Sequence, residues 1–303
     1  MKLAILTPSY RPDFDSLARL HRSVLDNTDS DVIHHVIVPR RDLPLFSTID
    51  SARLRLWTQA DFLPPTFLLT DWFSQSVQKV PFLPAAARVN AINMAQPWPP
   101  IRGWIQQQIV KLAAASRMEA DVVALIDSDV TLIRPVTADL FMRGESVRLY
   151  RAPGEITAAM DRHVKWGDAA RRLLGVDDPS PLPRPQFITA ITTWDPGIAA
   201  ACLARVEAVT HDPWQTAVGR ELHFAEYILY GTYVDNFGSA QQRAFPSDRA
   251  LCLSHWDPTP LDLDAARRFV ESLDPTDVAV QVQSTSRTSL EVRDFIINAA
   301  KAG

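Results

Sequence analysis

The chain is poor in several things that would each point to a particular class of protein. It has two cysteines in 303 residues, Cys202 and Cys252, far apart and in no CxxC pair. That spacing argues against a disulfide framework or a cysteine-based zinc site and suits a reduced, cytoplasmic setting. No apolar run approaches the length needed to span a bilayer. The opening Met1-Lys2-Leu3-Ala4-Ile5-Leu6-Thr7-Pro8 is too short an apolar run for a signal peptide. Any membrane association is therefore expected to be peripheral. The net charge of −4 supplies no general field for nucleic acid, so a phosphate-bearing ligand has to be held by local cations or a metal.

What remains is an ordinary globular composition, 47% hydrophobic and 22% charged, long enough for one large α/β domain or two small ones. The informative stretch is Val122-Val123-Ala124-Leu125-Ile126-Asp127-Ser128-Asp129. Five apolar residues predict a strand buried on both faces, and two carboxylates follow at its C-terminal end. Ligands of open α/β sheets bind beyond the carboxyl ends of the strands. Two acids so close repel unless a cation or proton lies between them, and Mg²⁺ or Mn²⁺ is the natural choice for oxygen ligands.

Around that stretch the pattern is β-α-β-β at the start. Strands are predicted at 2–7, 34–39 and 54–57, with Leu17, Leu20, Val24 and Leu25 at helical spacing between the first two. The adjacent His34 and His35 point to opposite faces of a strand and so do not make a joint metal site. Residues 60–102, rich in proline and aromatics, are expected to be irregular, with Trp72, Phe73, Arg88 and Trp98 as pocket candidates. From Gly103 a helix is predicted. It has a buried stripe of Ile105, Ile109, Leu112 and Ser116, and a second face of Trp104, Gln107, Gln108 and Lys111 suited to a phosphorylated ligand.

Further on, a helix at 163–175 ends on Gly175 as C-cap. Pro179, Pro181, Pro183 and Pro185 suggest an extended linker. A strand at 186–194 leads into a helix with Asp195 as N-cap and Pro196 at its first position. In His223-Phe224-Ala225-Glu226-Tyr227-Ile228-Leu229-Tyr230-Gly231 a carboxylate sits in an apolar, aromatic helix. Desolvation there raises its pKa and makes Glu226 a candidate general base. Trp194, Tyr230 and Trp256 are candidate acceptor-binding aromatics, since ring faces suit the apolar faces of sugars. A late strand ends at His255-Trp256, and Thr288 with Glu291 suggests a capping box for the last helix.

Taken together, the N-terminal β-α-β unit, the buried strand ending in Asp127-Ser128-Asp129, and the later Glu226 and His255 resemble a bacterial glycosyltransferase of the GT-A fold. The resemblance implies a Rossmann-type mixed sheet flanked by helices. A donor half (1–135) would bind a nucleotide-diphosphate sugar, most simply a UDP-sugar, and an acceptor half (136–303) would bind a saccharide or other hydroxyl acceptor in surface polysaccharide or glycoconjugate synthesis. It further implies that Asp129 ligates Mn²⁺ or Mg²⁺ directly and that Asp127 holds the ribose or a metal-bound water. His255 would be a further metal or diphosphate ligand. Thr7, Tyr10 and Arg11 would meet the base and ribose, Ser128 and Gln107 would lie on the donor side, and Lys111 would face the diphosphate. With Glu226 as base, single displacement would invert the anomeric centre.

Two other readings of the acids compete. Ile126-Asp127-Ser128-Asp129-Val130-Thr131 also fits the nucleophile motif of haloacid-dehalogenase-like phosphatases, although that family places the motif on its first strand and here several strands come before it. A non-catalytic nucleotide- or sugar-binding module is the other.

Overall fold

A computed structural model describes residues 1–70, 89–177 and 180–302. Its centre is a five-stranded sheet whose order is 191–194, 122–126, 3–8, 33–38 and 54–58. The last four strands are parallel, and Ile191–Trp194 runs antiparallel along Val122–Ile126. The apolar runs explain this placement. Leu3–Pro8 and Val122–Ile126 are buried at every position, as strands covered on both faces must be. On one side lies helix Phe14–Asn27, which buries Leu17, Leu20 and Val24 but leaves Leu25 exposed. On the other lies Gly103–Ala115, joined there by the helices of residues 161–236. The expected α/β class, a mixed Rossmann-type sheet between helices, is the observed one.

Several smaller sheets frame the central one. Val130–Leu132, directly after the two acids, pairs antiparallel with Ala279–Val282, which in turn pairs parallel with Cys252–His255. Ser146–Tyr150 pairs with Ala244–Ser247, and Ala152–Ile156 pairs with Arg184–Gln186. The proline-rich stretch therefore ends in a paired strand. The two halves expected from sequence interlock, because a strand from each is threaded into the other's sheet.

Local chemistry follows the sequence closely in places. Asp195 caps helix Pro196–Thr210, its carboxylate accepting from the Gly197 and Ile198 amides at 2.7 and 3.1 Å. Gly175 ends helix Asp161–Leu174 in the left-handed region at φ 62°. His34 and His35 do face opposite ways: His34 is buried on His21 and Thr7, while His35 stacks on Trp57.

Elsewhere it departs. Residues 60–102 were expected to be irregular, yet Phe67–Leu69, Val89–Asn93 and Ile101–Arg102 form an antiparallel sheet. Trp98 is 79% exposed on that side, while Trp72, Phe73 and Arg88 lie outside the described residues. Thr288 does not cap the last helix. Its hydroxyl accepts from the Leu261 amide, and Ser289 receives the Val292 amide instead.

Candidate functional site

Beyond the carboxyl ends of Leu3–Pro8 and Val122–Ile126 opens a cleft of about 880 Å³. That is within the size range of small-molecule sites and large enough for a nucleotide sugar. Because these strands are parallel, Pro8, Tyr10 and Asp13 arrive at the same edge as Asp127, Ser128 and Asp129. The antiparallel strand Ile191–Trp194 begins at that edge, so the residues just before it, Gln186, Ile188 and Thr189, join the wall.

Asp127 is open to the cleft, with its side chain 36% exposed. Asp129 is gripped from across the molecule: Gln281 Nε2 donates to its Oδ1 at 2.9 Å and the Ser284 amide to its Oδ2 at 2.8 Å. Ser128 Oγ donates to Asp13 Oδ2 at 3.3 Å. Burial, then the charges of Asp129 and Asp127, push the Asp13 carboxyl up to about 6. Asp129 is likewise raised by burial and by Asp127, against the opposing hydrogen bonds of Gln281 and Ser284. Asp13 was missed in the sequence, although its place just past the first strand is a detectable signal. Gln281, a lone amide in the apolar strand Ala279–Val282, is another; its Oε1 is buried with no hydrogen-bond partner among the described residues.

Lys111 reaches these acids from helix Gly103–Ala115. Its Nζ lies 3.0 Å from Tyr227 Oη, 3.1 Å from Glu226 Oε1 and 3.4 Å from Asp127 Oδ1. Burial alone would depress this ammonium, but Asp127, Tyr227 and Glu226 outweigh it and hold Lys111 protonated, well above the ordinary lysine range. Glu226, 1% exposed, is raised by its burial, with Lys111 opposing. Gln108 is not on the ligand face as expected. It is buried, and its Oε1 accepts from the Glu226 amide at 3.1 Å, fixing the start of helix Glu226–Asn236. That helix is pressed close to its neighbour: a Cβ on Gly231 would lie 2.3 Å from the Phe187 ring.

The structure brings together Tyr10, Gln107, Lys111, Asp127, Ser128, Asp129, Glu226 and Trp256 on one cleft. It does not bring the others there. Thr7 is fully buried; its hydroxyl donates to the Ile126 carbonyl at 2.8 Å and contacts His34 at 3.0 Å, so it ties two strands rather than touching a ligand. Arg11 turns to Asp42, Nε to Oδ1 3.5 Å. Trp194 and Tyr230 are core residues, 1% and 2% exposed and stacked at 4.9 Å, with Tyr230 Oη accepting from the Asp195 amide. Their faces are used up by packing and are closed to a sugar. His255 packs edge-on to Phe269 with Nε2 2.9 Å from the Thr259 carbonyl, and it is not among the residues of the cleft wall.

The acids suit a hard divalent cation in kind, being all oxygen donors whose mutual repulsion a cation would relieve. Among the described residues no three His, Cys, Asp or Glu side chains stand close enough to hold an ion unaided. No described helix is long and apolar enough to cross a membrane.

The chain is similar to several solved glycosyltransferases. The bifunctional glycosyltransferase WbbM, in its apo form, is 10% identical with a TM-score of 0.51, covering 99% of this chain and 49% of its own, so this chain spans about half of WbbM. Galactosyltransferase LgtC, in complex with donor and acceptor sugar analogs, is 11% identical with a TM-score of 0.45, covering 98% of this chain and 95% of its own. Mouse xyloside xylosyltransferase 1, also apo, is 11% identical with a TM-score of 0.45, covering 94% and 99% respectively. At such identities the likeness is one of fold, and the fold is the GT-A-like α/β architecture. No curated protein matches the sequence. A family model described as "Family of unknown function (DUF6492)" matches residues 3–287, and the chain belongs to that family.

Proposed function

We propose that this protein is a glycosyltransferase that moves a sugar from a nucleoside diphosphate, UDP in the simplest case, to a hydroxyl of a saccharide acceptor. The observation that carries this reading is the convergence of Asp127, Asp129 and the protonated Lys111 on one cleft at the carboxyl ends of parallel strands. Fold likeness to glycosyltransferases supports it. Asp127 and Asp129 would hold Mg²⁺ or Mn²⁺ together with phosphate oxygens, the usual sharing of such ions between one or two carboxylates and a substrate. The ion would supply stabilisation of the charge that builds on the leaving diphosphate.

The chain's own residues supply the rest. Lys111 adds a second positive charge on the same side, pre-aimed by Tyr227 and Glu226. Tyr10 and Gln107 border the nucleotide end. Glu226 is the proposed base for the acceptor hydroxyl, its proton affinity raised by burial. One observation favours a second role: its ion pair with Lys111 at 3.1 Å makes Glu226 a clamp that positions the lysine, which fits a displacement needing no protein base. Glu226→Gln separates the two, by losing turnover in the first case and donor affinity in the second.

The direct experiment is transfer from UDP-sugars with Mn²⁺ present, preceded by a thermal-shift screen of nucleoside diphosphates. Release of phosphate without sugar transfer would support a phosphatase, and nucleotide binding without turnover a binding module.

A further inference from the structure

Trp104, Gln107 and Lys111 follow one face of a single helix, so Trp104 stands about 10 Å from Lys111 along the axis at 1.5 Å per residue. It therefore lies at the end of the cleft away from Lys111. There Trp104 and Trp166 lie nearly parallel, centroids 6.1 Å apart at 13°. Trp104 Nε1 donates to the Phe224 carbonyl at 3.0 Å, which fixes the ring while leaving the residue 46% exposed. The Arg162 guanidinium sits over both indoles, 5.3 Å from the Trp104 centroid and 4.6 Å from that of Trp166.

Arg162 forms no ion pair among the described residues. The acids on its own helix are taken: Asp161 by Lys165 and Asp168 by Arg184, each at 2.7 Å. Glu155 also lines the cleft and forms no ion pair with Arg162 among the described residues. Among the described residues its N–H groups also donate no hydrogen bond, which leaves them for a ligand; the guanidinium fork is the group that recognises carboxylate and phosphate.

We infer that this end of the cleft is an acceptor subsite for an anionic saccharide, its ring on Trp104 and its carboxylate or phosphate on the fork of Arg162. The assignment rests on the glycosyltransferase reading for the word acceptor, but not for the binding itself.

Saturation-transfer NMR titrations with methyl β-D-glucuronide and methyl β-D-glucoside, which differ at one carboxylate, test it in the presence of UDP and Mn²⁺. The glucuronide should bind about tenfold more tightly, the scale of one charge-assisted contact. Arg162→Ala should bring it down to the glucoside, whose own affinity stays unchanged. Arg162→Lys should keep part of the preference, and Trp104→Ala should weaken both ligands. If the anion is a phosphate, the same arginine-dependent preference appears for glucose 1-phosphate over methyl α-D-glucoside. Arg162 is a surface residue, so its variants fold. Equal affinity for charged and neutral ligands, no detectable binding of either anion, or a preference that survives Arg162→Ala overturns the assignment. UDP binding followed in the same samples keeps the two readings apart. Its loss with the anion preference intact removes the nucleotide-sugar reading alone, and the reverse removes the subsite alone.

Discussion

Replacing Glu226 by glutamine tests the centre of the proposed chemistry, and the structure sets what it should do. The carboxylate lies 3.1 Å from Lys111 Nζ and is 1% exposed. Losing its charge removes a Coulomb attraction of about 5 kcal/mol at an effective dielectric of about 20. Against that, a buried carboxylate no longer has to be desolvated, which returns several kcal/mol. Lys111 keeps Asp127 at 3.4 Å and the Tyr227 hydroxyl at 3.0 Å, so it is not left alone. The two large terms nearly cancel, and a net loss of no more than about 2 kcal/mol is expected. The variant should fold. Initial-rate kinetics of sugar transfer, with calorimetric titration of UDP and Mn²⁺ alongside, should then show kcat down by about 10²–10⁴-fold with donor affinity nearly unchanged. A folded Glu226→Gln protein with near-normal kcat would refute the role of base, and a weakened UDP affinity with it would establish the clamp.

Three further outcomes follow from other parts of the site. Asp129→Asn should abolish the Mn²⁺-dependent part of UDP binding in calorimetry, and UDP affinity that is the same in EDTA as in Mn²⁺ would exclude the metal. Lys111→Ala should weaken UDP binding and also lower the melting temperature. It leaves Glu226 buried without a partner, a loss of about 3–5 kcal/mol; an unchanged melting temperature would show that Glu226 becomes neutral at no cost. Chemical denaturation at stepped pH, with His34→Gln alongside, should show the wild type losing stability relative to the variant as pH drops below about 6.5, the unfolded histidine value; the raised Asp13, Asp129 and Glu226 carboxyls act in the opposite sense and cancel in the comparison. Burial depresses His34 well below that value, holds His35 at about 4 and lowers His21. The unfolded chain therefore takes up protons that the native one refuses, and each such histidine costs about 1.4 kcal/mol per pH unit until its folded value is reached. A stability difference between wild type and His34→Gln that stays constant from pH 7 to about 5 would contradict the burial of His34.

The strands and the acids were legible because their signals are local. A run such as Val122–Ile126 has no polar residue to turn outward, and two carboxylates after it have few places to be in an α/β sheet. Asp195-Pro196 carries its own cap. The errors came where a side chain's fate depends on what crosses it from far away. Trp194 and Tyr230 are aromatic in a suggestive neighbourhood, yet nothing in their spacing says that they stack on each other inside the core. Thr7 ends an apolar strand as a ligand-binding threonine would, but its hydroxyl is taken up by the Ile126 carbonyl. Helical periodicity put Gln108 on the ligand face beside Lys111, while the helix beginning at Glu226 takes it up inside. The pairing of Trp104 with Trp166 and Arg162 joins two helices more than forty positions apart, beyond the reach of any periodic pattern.

The grip on Asp129 has a temporal side. Its two partners stand 152 and 155 positions downstream. At ribosomal rates of about 5–20 residues per second, those partners are made about 8–30 s after the aspartate they hold. During that interval the acidic strand end exists without Gln281 and Ser284, and without the strand Ala279–Val282 that covers the following Val130–Leu132. A nascent chain can thus close much of its central sheet well before the site proposed for the diphosphate is complete. The grip on Asp129 is acquired late, as a property of the assembled whole.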